Sequence, residues 1–399
     1  MSHLGTQVTA FVLPLLALNL LGATTFQVGL LGMLEFAPFL VFGLIAGAVM
    51  DRSDQLRIMR WCDLIRAAAL ASLPVAWALG DLGLAQLYGA VFLVGTATVF
   101  FEVGSQSITP DLVAKQDIQR ANQALSVSDS IGLTAGPALG GFLVSIFSAP
   151  MAIVADVISY LGSFALLWSV RGGPTPMGVE RPPAAPLGRQ IAEGLAFVRR
   201  HPTLGPIVAC ATGANLLSHV QQAVFVTYMV RSLHYSTALV GGVFTVGNLG
   251  VLVGATMYSR LLSAVPLGQL LWVTPIIGGI GMLLIPLAPR SISGPVVGFG
   301  WLLATGSAAI FNIAQLSYRQ AVTPEHLRAR MNATVRTFLW GAIPIGFLAG
   351  GWLGSVLGVH RTLLIAGILN LAPFAFVRFS PAAALSELPD AHEHLVPTV

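Results

Sequence analysis

The sequence carries very little charge. Only 9% of its 399 residues are Asp, Glu, Lys or Arg, whereas a soluble protein carries about 25%. Hydrophobic residues make up 55% of the chain, and its mean hydropathy is +0.81. The formal net charge of +4 is too small to indicate nucleic-acid binding. The composition therefore predicts an integral membrane protein surrounded by lipid.

Cysteine is also scarce. Cys62 and Cys210 both lie in apolar runs, so neither a disulfide framework nor a metal site is indicated, and we expect no cofactor. The sequence has no GxxxxGK[ST] motif, which argues against ATP-driven transport by this chain. No spacing of nucleophiles or metal ligands points to an enzyme. The first apolar stretch lacks the basic residues of a cleavable signal peptide, and further spans follow it.

Twelve apolar segments follow one another, and a membrane-spanning helix needs about 20 residues. The first is barely long enough, so either the first helix is short or the true start lies upstream of Met1. The segments cover roughly 4–21, 26–50, 58–79, 83–104, 123–147, 150–170, 203–230, 236–262, 266–288, 294–319, 332–357 and 361–378.

The predicted fold is therefore all-α, with six spans on either side of one long loop. Spans 1 to 6 form an N-terminal bundle at 1–170, and spans 7 to 12 form a C-terminal bundle at 203–378. The linker at 171–202 holds a Pro-rich run followed by an amphipathic segment. The polar tail at 379–399 is expected to be disordered.

The distribution of basic residues predicts the orientation, because Lys and Arg collect in cytoplasmic loops. If the N-terminus is cytoplasmic, all but four of the 20 lysines and arginines fall on the inner side. The exceptions are Arg66, within the third span, and Arg231, Arg290 and Arg361, on the outer side. We therefore expect a multi-pass protein of the cell membrane with both termini in the cytoplasm.

The two halves resemble each other in sequence. TPDLVAKQDIQRANQA at 109–124 matches TPEHLRARMNAT at 323–334 once four residues are dropped from the second copy. Past that gap, a constant offset pairs Arg120 with Arg330 and Gly136 with Gly346. Two six-helix halves related by an axis along the membrane normal are predicted.

The fifth span contains the pattern GxxxGPxxGG. Its residues are Gly132, Gly136, Pro137, Gly140 and Gly141. Residues four apart lie on one helix face, and a glycine face lets another helix approach closely within the bilayer. Simple helix–helix packing explains the glycines, whereas the proline within them makes the pattern more specific.

This pattern resembles the fifth-helix signature of exporters of the major facilitator superfamily, and the resemblance implies a role in gating transport. The loop after the second span, GAVMDRSDQLR, resembles the superfamily's loop 2–3 signature at Gly47, Asp51 and Arg52, while Asp54 stands where a glycine is usual. The resemblance implies a latch in which Asp51 faces the N-terminal end of the eleventh helix. Arg57 or Arg60 would then pair with Glu102. An ordinary basic loop is the alternative.

Several longer segments extend the resemblance over nearly the whole chain. They are DLIRAAALASLPVAWAL (63–79), FFEVGSQSITPDLV (100–113), AIVADVISYLGS (152–163) and EGLAFVRRHPTL (193–204). These segments are similar to those of twelve-helix exporters related to macrolide-efflux and enterobactin-export proteins. The fourth-helix signature of many proton–drug antiporters, an Arg followed by spaced glycines, is missing.

Charged residues within spans are costly and are candidates for function. Glu35 lies roughly 13 Å below the outer end of its helix, at 1.5 Å per residue, and is the leading candidate for proton coupling; a packing role is the alternative. Asp129, Asp63 and His219 are further candidates. For Asp129 and Asp63 a structural salt bridge is favoured, with Arg66 as the i,i+3 partner of Asp63, and for His219 a packing role.

The resemblance also implies where a substrate binds and which helices rock. Helices 1, 4, 7 and 10 would line the pathway and helices 3, 6, 9 and 12 the periphery, where Asp156 falls. Glycines of helices 5 and 8 would face each other, as would those of helices 2 and 11. The cavity candidates are Asn19, Asn215, Gln222, Phe225, Asn312 and Gln315. Between helices 5 and 8, the facing glycines are Gly132, Gly136 and Gly140 with Gly247, Gly250 and Gly254. Between helices 2 and 11, they are Gly43 and Gly47 with Gly346, Gly350 and Gly354.

The expected function is secondary active export of small, largely apolar molecules such as drugs or macrolides, coupled to protons, by rocker-switch alternating access. An exporter of siderophores or lysolipids shares these features, and a non-transporting receptor on the same fold is a further alternative. We expect a monomer that contacts membrane lipid.

Overall fold

The computed structural model describes residues 2–50, 53–112, 117–169 and 187–387, and these ranges contain helices but no β-strand. Tyr228–Ser232 forms a π-helical turn that continues α8. The helices are α1 (Ser2–Asn19), α2 (Thr25–Met50), α3 (Gln55–Leu79), α4 (Leu84–Leu112), α5 (Ile118–Ile146), α6 (Ala149–Ser169), α7 (Leu187–Arg200), α8 (Leu204–Thr227), α9 (Thr237–Ala264), α10 (Leu267–Leu287), α11 (Ser293–Val322), α12 (Glu325–Leu357), α13 (Val359–Leu369) and α14 (Phe374–Arg378).

The all-helical prediction is confirmed, and each predicted span except the last coincides with a single helix. Ten candidate spans in the described ranges are long and apolar enough to cross a membrane. The last of them, Val359–Arg378, combines α13 and α14 across a break at Asn370–Pro373. The two predicted spans outside these ten are α1, with only 18 residues, and α8, which carries several polar side chains.

Prolines lie inside α1, α2, α3, α5, α10 and α12 and do not end these helices. Pro14, Pro38, Pro74, Pro137 and Pro344 each lie inside a helix. In water, proline costs a helix about 3 kcal/mol. In lipid, an unfolded backbone has no water to bond, so the helix persists.

Turns between the helices use the expected chemistry where a helix begins or ends. The carboxylate of Asp54 accepts a hydrogen bond from the backbone N–H of Arg57 at 3.0 Å and caps the start of α3. At the other end of α3, Gly80 adopts a φ of 81°, a left-handed conformation that favours glycine. The residue that departs from the loop 2–3 signature therefore serves as a helix cap.

The contacts between residues divide the chain into two compact units. Unit 1 contains Met1–Glu180, Gln222–Thr245 and Phe347–Val359. In unit 1, α1 packs on α5 and α6, α4 packs on α2 and α3, and α3 packs on α6. The last part of α8, the first part of α9 and the last part of α12 belong to this unit. Unit 1 therefore combines helices from both halves of the sequence, and the predicted division into two bundles stays a prediction.

Unit 2 contains Arg181–Gln221, Val246–Gly346 and His360–Val399. Its core is formed where α10 packs on α11 and α14, with Leu204, Phe311 and Tyr318 among the buried side chains. The predicted amphipathic segment of the linker is α7. Its Glu193 forms an ion pair with Arg330 of α12.

Part of the tail is ordered, contrary to the expectation of disorder from residue 379. The backbone N–H groups of Leu267 and Gly268, at the start of α10, donate to the carbonyls of Ser386 and Leu385. Ala382 is fully buried. These bonds satisfy donors at a helix N-terminus that would otherwise lack partners. The remainder of the tail, 388–399, lies outside the described residues.

Candidate functional site

The glycine face of α5 packs against α1. A methyl group added at Gly136 would lie 2.5 Å from Cβ of Gln7, and one at Gly140 would lie 2.8 Å from the ring of Phe11. Gly132 lies against the first turn of α1 less tightly, since a methyl group there would lie 3.2 Å from the carbonyl oxygen of His3. Such distances leave no room for a side chain, so these glycines allow α1 and α5 to touch. The expectation that they face α9, the eighth predicted span, is wrong.

The contact between α5 and α9 lies further along both helices. A methyl group at Gly141 would lie 3.0 Å from the carbonyl oxygen of Thr237. On the α9 side, a methyl group at Gly241 would lie 2.6 Å from the carbonyl oxygen of Pro137. The proline and the last glycine of the motif therefore do meet α9, at its first turns.

The three glycines expected to face α5 pack on α11 instead. A methyl group at Gly247 would collide with the indole ring of Trp301, and one at Gly254 would lie against the backbone of Gly306. Gly250 lies against the carbonyl oxygen of Leu302. The α9 stripe is thus used within unit 2, as the α5 stripe is used against α1 in unit 1.

Helix α2 and the end of α12 meet at backbone contact within unit 1. A methyl group at Gly29 would lie 2.6 Å from Cα of Gly351, and one at Gly32 would overlap the ring of Phe347. The ring of Phe347 stacks on that of Phe36 with a centroid distance of 5.8 Å and an interplanar angle of 8°. Small residues therefore allow α2 and α12 to touch.

The glycines predicted for this contact are only partly used. Methyl groups at Gly43 and Gly47 would meet nothing within 4 Å. Gly346 packs on α8, whereas Gly354 packs against Thr25 at the start of α2. The α2–α12 contact therefore lies nearer the start of α2 than the sequence suggested.

A charged network is buried between the helices of unit 1. Arg66 forms an ion pair with Asp63, and both side chains are almost fully buried. The guanidinium of Arg66 also stacks over the rings of Phe101 and Tyr160, at 4.2 Å and 4.4 Å from their centroids. This geometry gives Asp63 a structural partner, as its spacing from Arg66 suggested.

Asp156 of α6 joins the same region, although it was expected at the periphery. Its carboxylate accepts hydrogen bonds from Thr9 at 2.7 Å and Ser159 at 2.8 Å, and it is fully buried. The hydroxyl groups of Thr6 and Tyr160 lie 2.8 Å apart. The α1 surface that carries these threonines could not be recognised from the position of Asp156 alone.

Glu35 lies in the middle of α2 and is half-buried. Its carbonyl oxygen faces Gly95 of α4 so closely that a methyl group there would lie 2.5 Å away. Within the described part of the chain, its carboxyl group makes no hydrogen bond or ion pair. An ionisable residue within a span is costly to keep there, so Glu35 remains a candidate for a functional role.

The two other proton-coupling candidates have partners. His3 lies 3.0 Å from Asp129 and links α1 to α5 at an exposed position. His219 Nδ1 lies 2.7 Å from the carbonyl oxygen of Asn215, one turn earlier in α8. The side-chain amide of Asn215 donates to the carbonyl of Leu339 at 2.6 Å and ties α8 to α12.

The latch predicted for the loop after α2 is only partly visible. Asp51 and Arg52 lie outside the described residues. Arg57 is exposed, and Glu102 is half-buried on α4. Arg60 donates twice to the carbonyl oxygen of Leu167, at 3.1 Å and 2.8 Å. The latch stays a prediction.

The remaining cavity candidates differ in exposure. Asn19 is exposed at the last residue of α1, and Gln222 is half-buried on α8. Phe225 is buried with its ring 5.4 Å from that of Phe244. On α11, Asn312 is exposed and Gln315 is buried, with 3.5 Å between Nε2 of Gln315 and Oδ1 of Asn312.

From the sequence, Arg319 is expected only to contribute to the excess of basic residues on the cytoplasmic side. Arg319 follows Gln315 by one turn of α11, and its guanidinium is buried. The spacing Asn312–Gln315–Arg319 places all three residues on one helix face. The spacing of these three polar residues within an apolar span is visible in the sequence and indicates a polar helix face.

No group of three or more His, Cys, Asp or Glu side chains that could hold a metal ion occurs in the described ranges. Within unit 1, backbone contacts through small residues connect helices of the two sequence halves, as at Gly29 with Gly351 and at Pro137 with Gly241.

Comparison with known proteins gives consistent results. A family model described as "Transmembrane secretion effector" matches residues 2–396. The multidrug efflux pump Tap of Mycolicibacterium fortuitum is 25% identical over 90% of this chain and 88% of its own length. Macrolide efflux protein A of Streptococcus pyogenes is 23% identical over 84% of this chain and 83% of its own length. The enterobactin exporter EntS of Salmonella typhi is 24% identical over 86% of this chain and 81% of its own length.

A solved structure supports the fold. The bacterial homologue of the human lysosomal transporter Spinster, in an inward-facing and unoccupied conformation, superposes with a TM-score of 0.73. The two chains are 14% identical, and the match covers 96% of this chain and 95% of the other. At this identity the likeness establishes the fold alone.

Proposed function

The chain belongs to the transmembrane secretion effector family of major facilitator superfamily transporters, and from this premise we propose that it is a proton-coupled exporter of small, largely apolar molecules. Its relatives include efflux proteins for drugs, macrolides and enterobactin. Export by this chain would proceed by rocker-switch alternating access, in which the two sequence halves tilt about a central site. No catalytic chemistry is part of the proposal.

The observation that carries the proposal is the backbone contact of α2 with α12 through Gly29 and Gly351. These helices come from different sequence halves. Helices that touch through small residues can separate without withdrawing interlocked side chains, and such residues favour close approach in lipid. The contact of Pro137 with Gly241 is of the same kind. Both contacts would open in the alternate state.

The orientation proposed from the basic residues places these contacts on the outer side. With the N-terminus inside, the first turns of α2 and α9 and the last turns of α12 face outward. Arg231, on the same side, donates a hydrogen bond to the carbonyl oxygen of Ala23 at 2.7 Å. Ala23 lies in the loop between α1 and α2, so this bond adds a polar tie between the two halves.

Proton coupling is proposed for Glu35. Its position within α2, near the α2–α12 contact, would let its protonation state influence whether these helices touch. A neutral carboxyl group is cheaper to bury than an ionised one. Proton exchange at Glu35 would thereby be linked to the change of conformation.

The proposed substrate is apolar and bulky because aromatic rings such as Phe225 lie among the pathway candidates. A siderophore or lysolipid exporter is the alternative, and a lipid substrate would require a lateral opening between helices. A receptor on the same fold would bind a ligand without moving it. Accumulation assays separate a receptor from either exporter.

The test is active efflux from a pump-deficient bacterial host that expresses the protein. A susceptibility screen first identifies exported compounds, and their efflux is then measured with and without a protonophore. The proposal predicts reduced susceptibility and an efflux that the protonophore abolishes. Unchanged susceptibility to every compound would contradict export, and efflux that survives the protonophore would contradict proton coupling.

A further inference from the structure

One face of α11 carries three polar side chains in succession. Asn312, Gln315 and Arg319 are spaced by three and four residues, so they form a row about 10 Å long at 1.5 Å per residue. The opposite face of α11 is occupied by other contacts. Leu302 and Gly306 face Gly250 of α9. The polar row is therefore separate from the surface on which α9 packs.

Gln315 and Arg319 are buried, and some of their polar atoms have no hydrogen-bond partner among the described residues. Arg319 is only 6% exposed, and neither Nε nor Nη1 has a hydrogen-bond partner among the described residues. Gln315 is 3% exposed, and its Oε1 likewise lacks a partner there. Buried polar atoms are normally paired, because leaving one unpaired costs about 1–3 kcal/mol, and more for a charged group. Two such side chains one turn apart point to a missing ligand.

A purely structural role does not account for this arrangement. An arginine that only anchors a helix at the membrane surface extends its charged end into water, whereas this guanidinium is buried. The α11 helix ends at Val322, so its C-terminal dipole stabilises a nearby positive charge. That interaction satisfies no N–H group. The hydroxyl group of the adjacent Tyr318 is itself engaged, because it lies 2.6 Å from the hydroxyl group of Thr203.

We propose that Arg319, with Gln315 and Asn312, binds an oxyanion carried by the transported molecule, either a carboxylate or a phosphate. The guanidinium offers a planar pair of donors that matches both groups. Gln315 provides a neighbouring polar contact for a hydroxyl or N–H group beside the acid. The inference rests on the proposed export function and adds a substrate class to it: amphiphilic organic anions, not only neutral drugs.

Binding is tested with a carboxylate and its uncharged ester, which share one skeleton, and with a lipid phosphate. The purified protein in lipid nanodiscs is titrated with deoxycholate, its uncharged methyl ester and lysophosphatidate, which distinguish a free acid from a lipid phosphate. Wild-type protein is expected to bind at least one anion more tightly than the ester. Arg319→Gln should weaken anion binding about 10- to 100-fold, as expected for loss of a charge-assisted hydrogen bond, and leave the ester unchanged.

Two further variants control the comparison. Arg319→Lys keeps the positive charge but loses the planar pair of donors, so its anion affinity should lie between those of the wild type and Arg319→Gln. Arg260→Gln removes the same charge from an exposed position on α9 and should leave anion binding unchanged. Equal binding of anions and ester by the wild type, or undiminished anion binding by Arg319→Gln, would overturn the proposal.

Efflux and stability measurements separate this inference from the proposed function. In the pump-deficient host, Arg319→Gln should export a neutral dye at the wild-type rate while deoxycholate export falls. Failure of the wild type to export anything would refute the export function, whereas export of deoxycholate by Arg319→Gln at the wild-type rate would refute only the anion site. A merely structural arginine predicts a lower melting temperature and an equal loss for neutral and anionic probes.

Discussion

Gly29 and Gly351 approach each other so closely that a methyl group on Gly29 would lie 2.6 Å from Cα of Gly351. Gly29 belongs to the first half of the sequence and Gly351 to the second. A glycine pair at this position lets two helices touch along their backbones, which bulkier residues would prevent. The proposed transport cycle requires that this contact form and break.

The first prediction concerns that contact. Gly29→Leu should prevent α2 and α12 from closing and so reduce efflux by at least tenfold, because no nearby side chain can yield to the added group. Efflux of an identified substrate from whole cells measures the effect, with membrane abundance determined by immunoblot. Gly43→Leu is the matched control on the same helix, since a methyl group there meets nothing within 4 Å. Equal activity of the two variants would refute a role for the contact.

The helix positions could be predicted from the sequence, but their partners could not. The apolar run at 26–50 predicted a helix that is observed at Thr25–Met50, because the length and apolar character of a span are local properties. A glycine stripe shows only that some helix comes close. Gly136 was therefore assigned to α9 when it packs on Gln7 of α1.

The second prediction concerns the α5 motif. Gly136→Leu should abolish efflux while leaving membrane insertion intact, because overpacking α1 against α5 costs about 1–3 kcal/mol without removing apolar character. Gly162→Leu is the control, since Gly162 on α6 has open space around it. Efflux and melting temperature in detergent are measured together. Wild-type efflux by Gly136→Leu would remove this motif from the mechanism, as would wild-type efflux by Pro137→Leu.

The third prediction concerns the buried ion pair. Arg66→Leu leaves the carboxylate of Asp63 buried without its partner and should cost about 3–5 kcal/mol of stability. The control is Arg120→Leu, because Arg120 pairs with Asp117 at 3.6 Å on an exposed surface. Loss of an exposed pair costs about 0–1 kcal/mol. Denaturant unfolding in mixed micelles compares the variants, and similar stabilities would show that the network is not structural.

Buried polar residues were the least predictable part of the candidate site. Asp156 was expected at the periphery because α6 is an outer helix in this superfamily, yet it accepts hydrogen bonds from Thr9 and Ser159. An outer helix still has one inner face, and a single sequence does not show which residues lie on it. Arg319 is hard to recognise for a related reason: an arginine near the end of a span has the sequence pattern of a topology signal, and the sequence alone does not show that its side chain is buried.

The fourth prediction concerns energy coupling. Glu35→Gln keeps the size of the side chain but cannot exchange a proton, so it should stop uphill efflux driven by a pH gradient and preserve downhill movement of substrate. Proteoliposomes with an imposed gradient measure both modes. Asp81→Asn, on an exposed loop between α3 and α4, makes the same chemical change and should behave as the wild type. Gradient-driven efflux by Glu35→Gln at the wild-type rate would assign coupling elsewhere.

The most direct test is a reversible crosslink across the contact between α2 and α12. Cβ of Thr25 lies 3.8 Å from the position of a Cβ on Gly354, a separation typical of disulfides. The variant Thr25→Cys/Gly354→Cys is made with Cys62 and Cys210 replaced by Ala. If the two helices must separate during export, oxidation should abolish the efflux that the reduced variant shows, and a reductant should restore it. Full efflux by fully crosslinked protein would contradict alternating access at this contact.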